Sequence, residues 1–199
     1  MPARIFIKSA RRLDVIIAPP FDFGPTGYAL GSPAEGTIDP DYDAHAAFVK
    51  SILSNFLQMG FRRIYVPIMH QGMNAPLALA FKKAAAELAF EAALDAGHPR
   101  GWWADVKLKD EARWGAIDVQ PMILPAASPP AGGDHAGYNE TSFLLATRPE
   151  LVEQERLDID PAPWYCRQDE DRNSWTANVE HGQAMVDAVV DAWVDHLGG

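Results

Sequence analysis

The chain has 199 residues, 48% of them hydrophobic, which is enough for one sizeable core, so we expect a single domain over residues 1–199. Its 17 basic and 27 acidic side chains give a formal charge of -10, which disfavours binding to nucleic acid or to an anionic membrane surface. The single cysteine, Cys166, cannot form an internal disulfide, which fits a cytoplasmic protein. No stretch reaches the roughly 20 apolar residues of a transmembrane helix.

The first third of the chain predicts a strand followed by a helix. The β-branched run "LDVIIAP" at 13–19 predicts a buried strand, and a Gly/Pro-rich loop follows it. Residues 39–60 predict a helix, with Asp39 as its N-cap and Gly60 as its stop. Six apolar side chains at helical spacing predict its buried face: Phe48, Val49, Ile52, Leu53, Phe56 and Leu57.

The next segments repeat this order. The run "RRIYVPIM" at 62–69 predicts a strand that is covered on both faces. A helix is predicted from Pro76 to about Ala96, capped by Asn74 and ended by Gly97. Strand, helix and strand in this order predict an α/β fold with a mainly parallel sheet and helices on both sides.

Four later segments complete the prediction. The runs "GWWADVKL" at 101–108 and "DVQPMILPA" at 118–126 predict strands, and a short helix is predicted from near Asn139 to Pro149. The last segment predicts a helix with two neighbouring apolar lines, formed by Met185, Val189 and Trp193 and by Val186, Val190, Val194 and Leu197.

His70 follows directly after the second predicted strand. Ligands of open α/β sheets bind beyond the carboxyl ends of the strands, so this position suits a functional histidine. The alternative is that His70 only hydrogen-bonds its own loop. Gly72 favours the functional reading, because a glycine in a strand-to-helix turn allows unusual backbone conformations or close approach of a ligand. Gln71 and Met73 are candidates to line a pocket in the same turn.

A second candidate cluster lies in "GGDHAGYNETS", where Asp134, His135 and Glu140 occur together in a glycine-rich loop that leads into a helix. Imidazole and carboxylate groups are the usual ligands of a zinc-like divalent ion, and they also form the common acid/base pair. Glu140 has a structural alternative, since a carboxylate in the first turn of a helix interacts favourably with the helix dipole.

These two segments resemble the creatininase (creatinine amidohydrolase) family. Its members have a strand ending in a His-Gly-Gly-Asn-like turn, similar to "YVPIMHQGMN", and later a His-Ala/Gly-Gly-x-x-Glu-Thr-Ser segment leading into "LLA-x-x-PELV". The second motif is the more specific, and here it reads "HAGYNETSFLLATRPELV". The "EGTID" at 35–39 and "VIIAPPFDFG" at 15–24 are similar to further family segments.

The resemblance implies a three-layer α/β/α fold, homo-oligomers, commonly hexamers, and hydrolysis of a small, often cyclic, amide with the help of divalent metal ions. Zinc, manganese or iron, and possibly two ions, would suit the ligand types. It implies His70 and Glu140 as metal ligands, and Asp134 of the same glycine-rich loop is a further candidate ligand. His135 would handle the proton at the scissile bond, and Glu140 would also act in the metal and water site.

The chain also departs from the family, because the Glu-x-His and Asp metal motif expected before the first long helix does not occur after Met1. Three explanations stay open. The chain start lies too late in the sequence of an active hydrolase, or the chain is catalytically silent and acts as a ligand-binding or structural subunit. Alternatively, a short member recruits ligands from a partner subunit or from residues elsewhere: Asp22, Asp39, Asp41 or His45.

The substrate is open between a cyclic amide and another ring compound, including the keto-inositol type that similar family members open. Trp102 or Trp103 lies near an aromatic residue that closes over the substrate in creatininase itself. Tyr138 and Asn139 are further candidates to bind substrate, and Tyr28 is a candidate pocket residue, with core or interface packing as the alternative for the aromatic ones. The remaining histidines are expected to be solvated: His45, His98, His181 and His196.

Overall fold

The structure, a computed structural model, describes residues 15–29, 31, 36–70, 72–111, 114–153 and 173–198. Gln71 and Cys166 lie outside the described residues, as does Glu35, the first residue of the "EGTID" stretch. The chain divides into two compact units. Unit A is Phe21–Met122, and unit B comprises Met1–Pro20 and Ile123–Gly199. The expectation of a single domain stays a prediction.

Unit A contains a parallel pair of strands with helices packed beside it. Strands β1 (Ile64–Ile68) and β2 (Ile117–Pro121) pair in register from Ile64 with Ile117 to Ile68 with Pro121. Helix α1 (Tyr42–Gln58) packs on helix α2 (Pro76–Asp95), and α2 contacts both strands. This arrangement confirms the predicted α/β class with a parallel sheet.

The core of unit A is apolar. Buried side chains from β1, α1 and α2 form one cluster: Val49, Leu53, Ile68, Ala78, Phe81, Ala84 and Leu88. The predicted inner face of α1 is wrong at Phe48, which is 56% exposed although its ring contacts the ring of Phe21 edge-on. Val49 and Leu53 are buried as predicted.

Two predicted helix caps in unit A are wrong. Asp41 caps α1 by accepting a hydrogen bond from the Ala44 N–H, whereas Asp39 accepts one from the Thr26 N–H. Ala75 rather than Asn74 occupies the N-cap of α2, with no side-chain cap. Gly72 has no left-handed backbone, and a Cβ there would meet nothing within 4 Å, so the expected close approach of a ligand at Gly72 stays a prediction.

Residues 101–108 do not form the predicted strand. A 3-10 turn spans Trp102–Ala104 and helix α3 spans Val106–Glu111. The Asp105 carboxylate accepts hydrogen bonds from the backbone N–H groups of Lys107 and Leu108, at 2.9 and 3.3 Å, and so caps the first turn of α3.

Unit B contains two helices that pack on each other, α4 (Tyr138–Thr147) and α5 (Val179–Gly198). Short 3-10 turns at Pro125–Ala127 and Pro149–Leu151 lie on either side of α4 in the sequence. Five buried side chains on α5 confirm most of its predicted apolar lines: Met185, Val186, Val189, Val190 and Trp193.

The predicted strand at 13–19 is wrong over its described part, because residues 15–20 have no regular structure and Ile16 is 80% exposed.

Helices α4 and α5 approach closely at Gly182. A Cβ atom on Gly182 would lie 1.9 Å from the carbonyl oxygen of Ser142 and 3.0 Å from the Cβ of Ala146. Only a residue without a side chain allows this approach of the two backbones.

The described residues contain no helix that is both long and apolar enough to cross a membrane.

Candidate functional site

The segment Asp134–Ser142 of unit B holds the candidate site residue His135 and begins with a helix cap. The two carboxylate oxygens of Asp134 accept hydrogen bonds from the backbone N–H groups of Asn139 and Glu140, at 2.6 and 3.0 Å. These first-turn N–H groups of α4 have no partner within the helix. Gly137 leaves room for this cap, because a Cβ there would lie 2.9 Å from the Asp134 carboxyl carbon.

The peptide groups on both sides of Ala136 are also held. Glu140 Oε2 accepts a hydrogen bond from the Ala136 N–H at 3.0 Å. The Ala136 carbonyl oxygen accepts hydrogen bonds from the hydroxyls of Thr141, at 3.4 Å, and Ser174. Ala136 has a φ of 47°, a left-handed conformation that is uncommon outside glycine. His135 is half-buried at the start of this constrained turn.

Tyr138 and Asn139 form a polar contact between α4 and α5. The Oδ1 of Asn139 lies 2.8 Å from Nε2 of His181, and the rings of Tyr138 and His181 are 4.6 Å apart between centroids. The side-chain amide of Asn178 donates to the Tyr138 hydroxyl at 3.1 Å. The expectation of a solvated His181 is therefore wrong, because it is half-buried in a contact that joins residues 42 positions apart.

Unit A carries the other candidates. His70 is exposed just beyond the end of β1, and its side chain makes no hydrogen bond within the described part of the chain. Met73 is half-buried against the core cluster, and its carbonyl oxygen accepts a hydrogen bond from Lys82 Nζ at 2.7 Å. Tyr28, exposed by 42%, has a positive φ of 51°.

Trp102 and Trp103 belong to an aromatic cluster with Trp114 and His98. The ring centroids of Trp102 lie 5.6 Å from Trp103, 6.2 Å from Trp114 and 4.8 Å from His98. His98 is half-buried, with Nε2 lying 3.0 Å from the Leu108 carbonyl oxygen, so the expectation that it is solvated is wrong. His196 is also half-buried, edge-on to the ring of Trp193. Trp103 is 55% exposed, so this cluster presents an aromatic surface.

His45, the fourth of those histidines, is buried on α1. Its exposed fraction is 7%, its ring packs edge-on against Phe81, and its Nε2 has no hydrogen-bond partner among the residues that the structure describes. Burial lowers the pKa of His45, because the charged imidazolium loses its hydration. The expectation that His45 is solvated is therefore wrong.

The described residues do not fit a bound metal ion. Among residues 15–29, 31, 36–70, 72–111, 114–153 and 173–198, no three His, Cys, Asp or Glu side chains are grouped to hold one. Both oxygens of Asp134 and one of Glu140 already accept backbone hydrogen bonds. Ligation by His70, Glu140 and Asp134 stays a prediction, and we derive no catalytic step through a metal.

Three of the carboxylates considered as recruited ligands differ in their surroundings. Asp39 accepts from the Thr26 N–H and Asp41 caps α1, so each has a structural partner. Asp22 is exposed. These hydrogen bonds give the Asp39 and Asp41 carboxylates a structural role that requires no metal ion.

Comparisons with known proteins agree with this architecture. The family model for creatininase, described as creatinine amidohydrolase, matches residues 1–197. A crystal structure of creatinine amidohydrolase is 19% identical and superposes with a TM-score of 0.67, covering 100% of this chain and 80% of that one. A manganese form of creatininase is 20% identical with a TM-score of 0.68, covering 99% of this chain and 80% of the other. A glutamate-to-glutamine mutant of creatininase complexed with creatine is 18% identical with a TM-score of 0.68, covering 98% and 80%. No curated protein sequence matches.

Proposed function

The chain belongs to the creatininase family, and from this premise we propose that it is a hydrolase of a small, cyclic amide or related ring compound. The observation that carries the proposal is the family match over residues 1–197, which includes the segment with His135. The geometry of that segment supports it, because the backbone beside His135 is held from both sides. A fixed side chain suits proton transfer, since a catalytic acid must keep its distance to the reacting atom.

In this proposal, His135 donates a proton to the leaving nitrogen as the ring amide bond breaks. Glu140 fixes the backbone beside His135 through the Ala136 N–H, which is a positioning role. Its direct participation in catalysis remains a prediction. Water attacks the carbonyl carbon and the C–N bond breaks, leaving a carboxylate and an amine within one opened molecule. Of the two protons of the water, one returns to His135 and the other is released to solvent.

Substrate contacts are proposed for the candidates named from the sequence: Gln71, Met73, Trp102, Trp103, Tyr138 and Asn139. The aromatic surface around Trp103 suits the flat face of a small ring compound. One related structure contains creatine. The family resemblance implies that creatininase itself has a different turn from the "HQGMN" of this chain. A ring compound other than creatinine is therefore included in the proposal. For a keto-inositol the bond that breaks is a ring C–C bond, and His135 donates its proton to the leaving carbon.

The test is a hydrolysis assay of the full chain purified without chelator. Zinc, manganese and iron are added separately, since related structures are zinc and manganese forms. Creatinine, other cyclic amides and a keto-inositol serve as substrates, and ring opening is followed by mass spectrometry. His135→Ala is expected to reduce turnover by about 100-fold or more. His196→Gln, a histidine of unit B outside the segment, is the control and should retain activity.

A second candidate is a catalytically silent family member that acts as a ligand-binding or structural subunit. The observation that favours it is the full use of the Asp134 carboxylate as a helix cap. Elemental analysis separates the two candidates when combined with the assay. Protein that binds less than a trace of transition metal and opens none of the rings supports the silent subunit. Homo-oligomer formation is a further proposal, tested by measuring the native mass.

A further inference from the structure

The carbonyl oxygen of Ala136 receives a hydrogen bond from a distant part of the chain. The donor is the Ser174 hydroxyl, 38 residues further along. Thr141, in the first turn of α4, donates to the same oxygen at 3.4 Å. Ser174 is only 1% exposed, so its hydroxyl must find its partner within the protein.

The turn that contains Ser174 is stabilised by other groups. Asn173 Oδ1 accepts hydrogen bonds from the N–H groups of Trp175 and Thr176, at 3.0 and 3.2 Å. The Thr176 hydroxyl in turn accepts a hydrogen bond from the Asn173 N–H at 3.0 Å. These hydrogen bonds close the turn without the Ser174 hydroxyl. The Ser174 hydroxyl donates instead to the Ala136 carbonyl oxygen.

This contact bears on the conformation of Ala136. A left-handed, non-glycine residue keeps its conformation only where its surroundings hold it. Glu140 holds the N–H of Ala136, and Ser174 and Thr141 hold its carbonyl oxygen. The two peptide groups next to the Cα of Ala136 are therefore fixed, and the first of them is the peptide group that follows His135.

We propose that Ser174 is a positioning residue for His135. The inference rests on the proposed hydrolase function, and it assigns Ser174 no contact with substrate. By holding the Ala136 carbonyl, Ser174 keeps the turn in the conformation that sets the direction of the His135 side chain. Its loss lets the turn relax, so that the imidazole samples orientations that are unproductive for proton transfer.

The experiment compares four forms of the full chain: wild type, Ser174→Ala, Ser174→Thr and Thr176→Ala. Imidazole ¹H and ¹⁵N chemical shifts of His135 are measured by NMR at one fixed pH, together with kcat and KM for the ring compound that the assay identifies. Ser174→Ala is expected to shift the His135 resonances and to lower kcat by about tenfold or more, with a smaller change in KM. Ser174→Thr retains a hydroxyl and should restore both. Thr176→Ala is the comparison, because it removes one bond that closes the same turn and leaves the Ser174 hydroxyl in place, and it should change both readouts less than Ser174→Ala does.

Thr141→Val provides a second check, since it removes the other donor to the same carbonyl oxygen. It should shift the His135 resonances in the same direction and by less. If folded Ser174→Ala protein keeps the wild-type His135 resonances, Ser174 serves packing only and the inference is overturned. If wild type opens no ring, the proposed function fails, while the NMR comparison still decides whether Ser174 positions His135.

Discussion

Units A and B treat buried polar side chains in opposite ways. Among the described residues of unit B three polar side chains are buried and each is paired: Ser142 accepts from the Asn178 N–H, Thr147 donates to the Phe143 carbonyl, and Ser174 donates to Ala136. In the described part of unit A the buried polar side chain is His45, whose Nε2 is unpaired within an apolar cluster.

This difference indicates how each unit comes to prefer one backbone arrangement. Unit B fixes its loop segment through directed hydrogen bonds between elements that are distant in sequence, which makes one backbone arrangement preferable to its alternatives. The core of unit A is stabilised by the burial of apolar side chains from α1, α2 and β1, and this hydrophobic effect has no preferred direction. A change in unit B should therefore act through geometry, whereas a change in unit A should act through burial and charge.

The largest effect is expected from Gly182→Ala, which tests the close approach of α4 and α5. The new methyl group would overlap the Ser142 carbonyl, so the helices must move apart and the nearby hydrogen bonds must stretch. We expect the free energy of unfolding to fall by about 3 kcal/mol or more in urea titrations. Gly198→Ala is the matched control, because a Cβ at Gly198 of the same helix meets nothing within 4 Å. Equal stability of the two variants would contradict the close approach.

Asp134→Ala tests the cap of α4 and should have the next largest effect. Two backbone N–H groups lose their acceptor, and the expected loss of unfolding free energy is about 1–2 kcal/mol. Asp134→Asn keeps an oxygen acceptor and should lose less. If Asp134 instead binds a metal, added zinc or manganese will raise the thermal midpoint of wild type and leave that of Asp134→Asn unchanged.

Much of this fold could be predicted from sequence, because apolar periodicity and punctuation by proline and glycine are local signals. The short helix ended near Pro149 and the terminal helix followed from them. The strand predicted at 101–108 was wrong because two tryptophans and a valine outweighed a visible cap signal at Asp105. The strand predicted at 13–19 was wrong because β propensity indicates only that a segment can pair with a strand. It carries no information on whether a partner strand lies beside the segment.

The candidate site was less predictable, because its decisive contacts join residues far apart in sequence. The Asp134 cap spans only five or six residues and was within reach of sequence reasoning, through the acid before a glycine-rich helix start. The contacts of Ser174 with Ala136 and of His181 with Asn139 span 38 and 42 residues. No local pattern identifies such partners. His45 was expected in solvent, yet helical spacing places it one turn before the buried Val49.

His45→Leu tests the unpaired histidine of unit A and should raise stability by about 1 kcal/mol at neutral pH, since an unpaired buried polar atom is removed. The folded protein lowers the pKa of His45, so the unfolded chain binds its proton more readily. Wild type should therefore lose stability as pH falls below about 6.5, the value of an unperturbed histidine, towards the lowered pKa of the folded state. Urea unfolding at pH 7.5 and 5.5 should show a smaller loss for His45→Leu. An equal loss in both proteins would show that another group causes the pH dependence.

His70→Ala should have the smallest effect on stability and the clearest functional meaning. The side chain is exposed and makes no hydrogen bond within the described part of the chain, so the free energy of unfolding should change by less than about 0.5 kcal/mol. Any loss of ring-opening activity or of bound zinc in this variant then reports a functional role, because the fold is intact. Asp134→Ala offers no such separation, since it weakens the helix that follows His135. A destabilisation by His70→Ala as large as that of Asp134→Ala would remove the contrast between an open strand-end turn in unit A and a constrained loop in unit B.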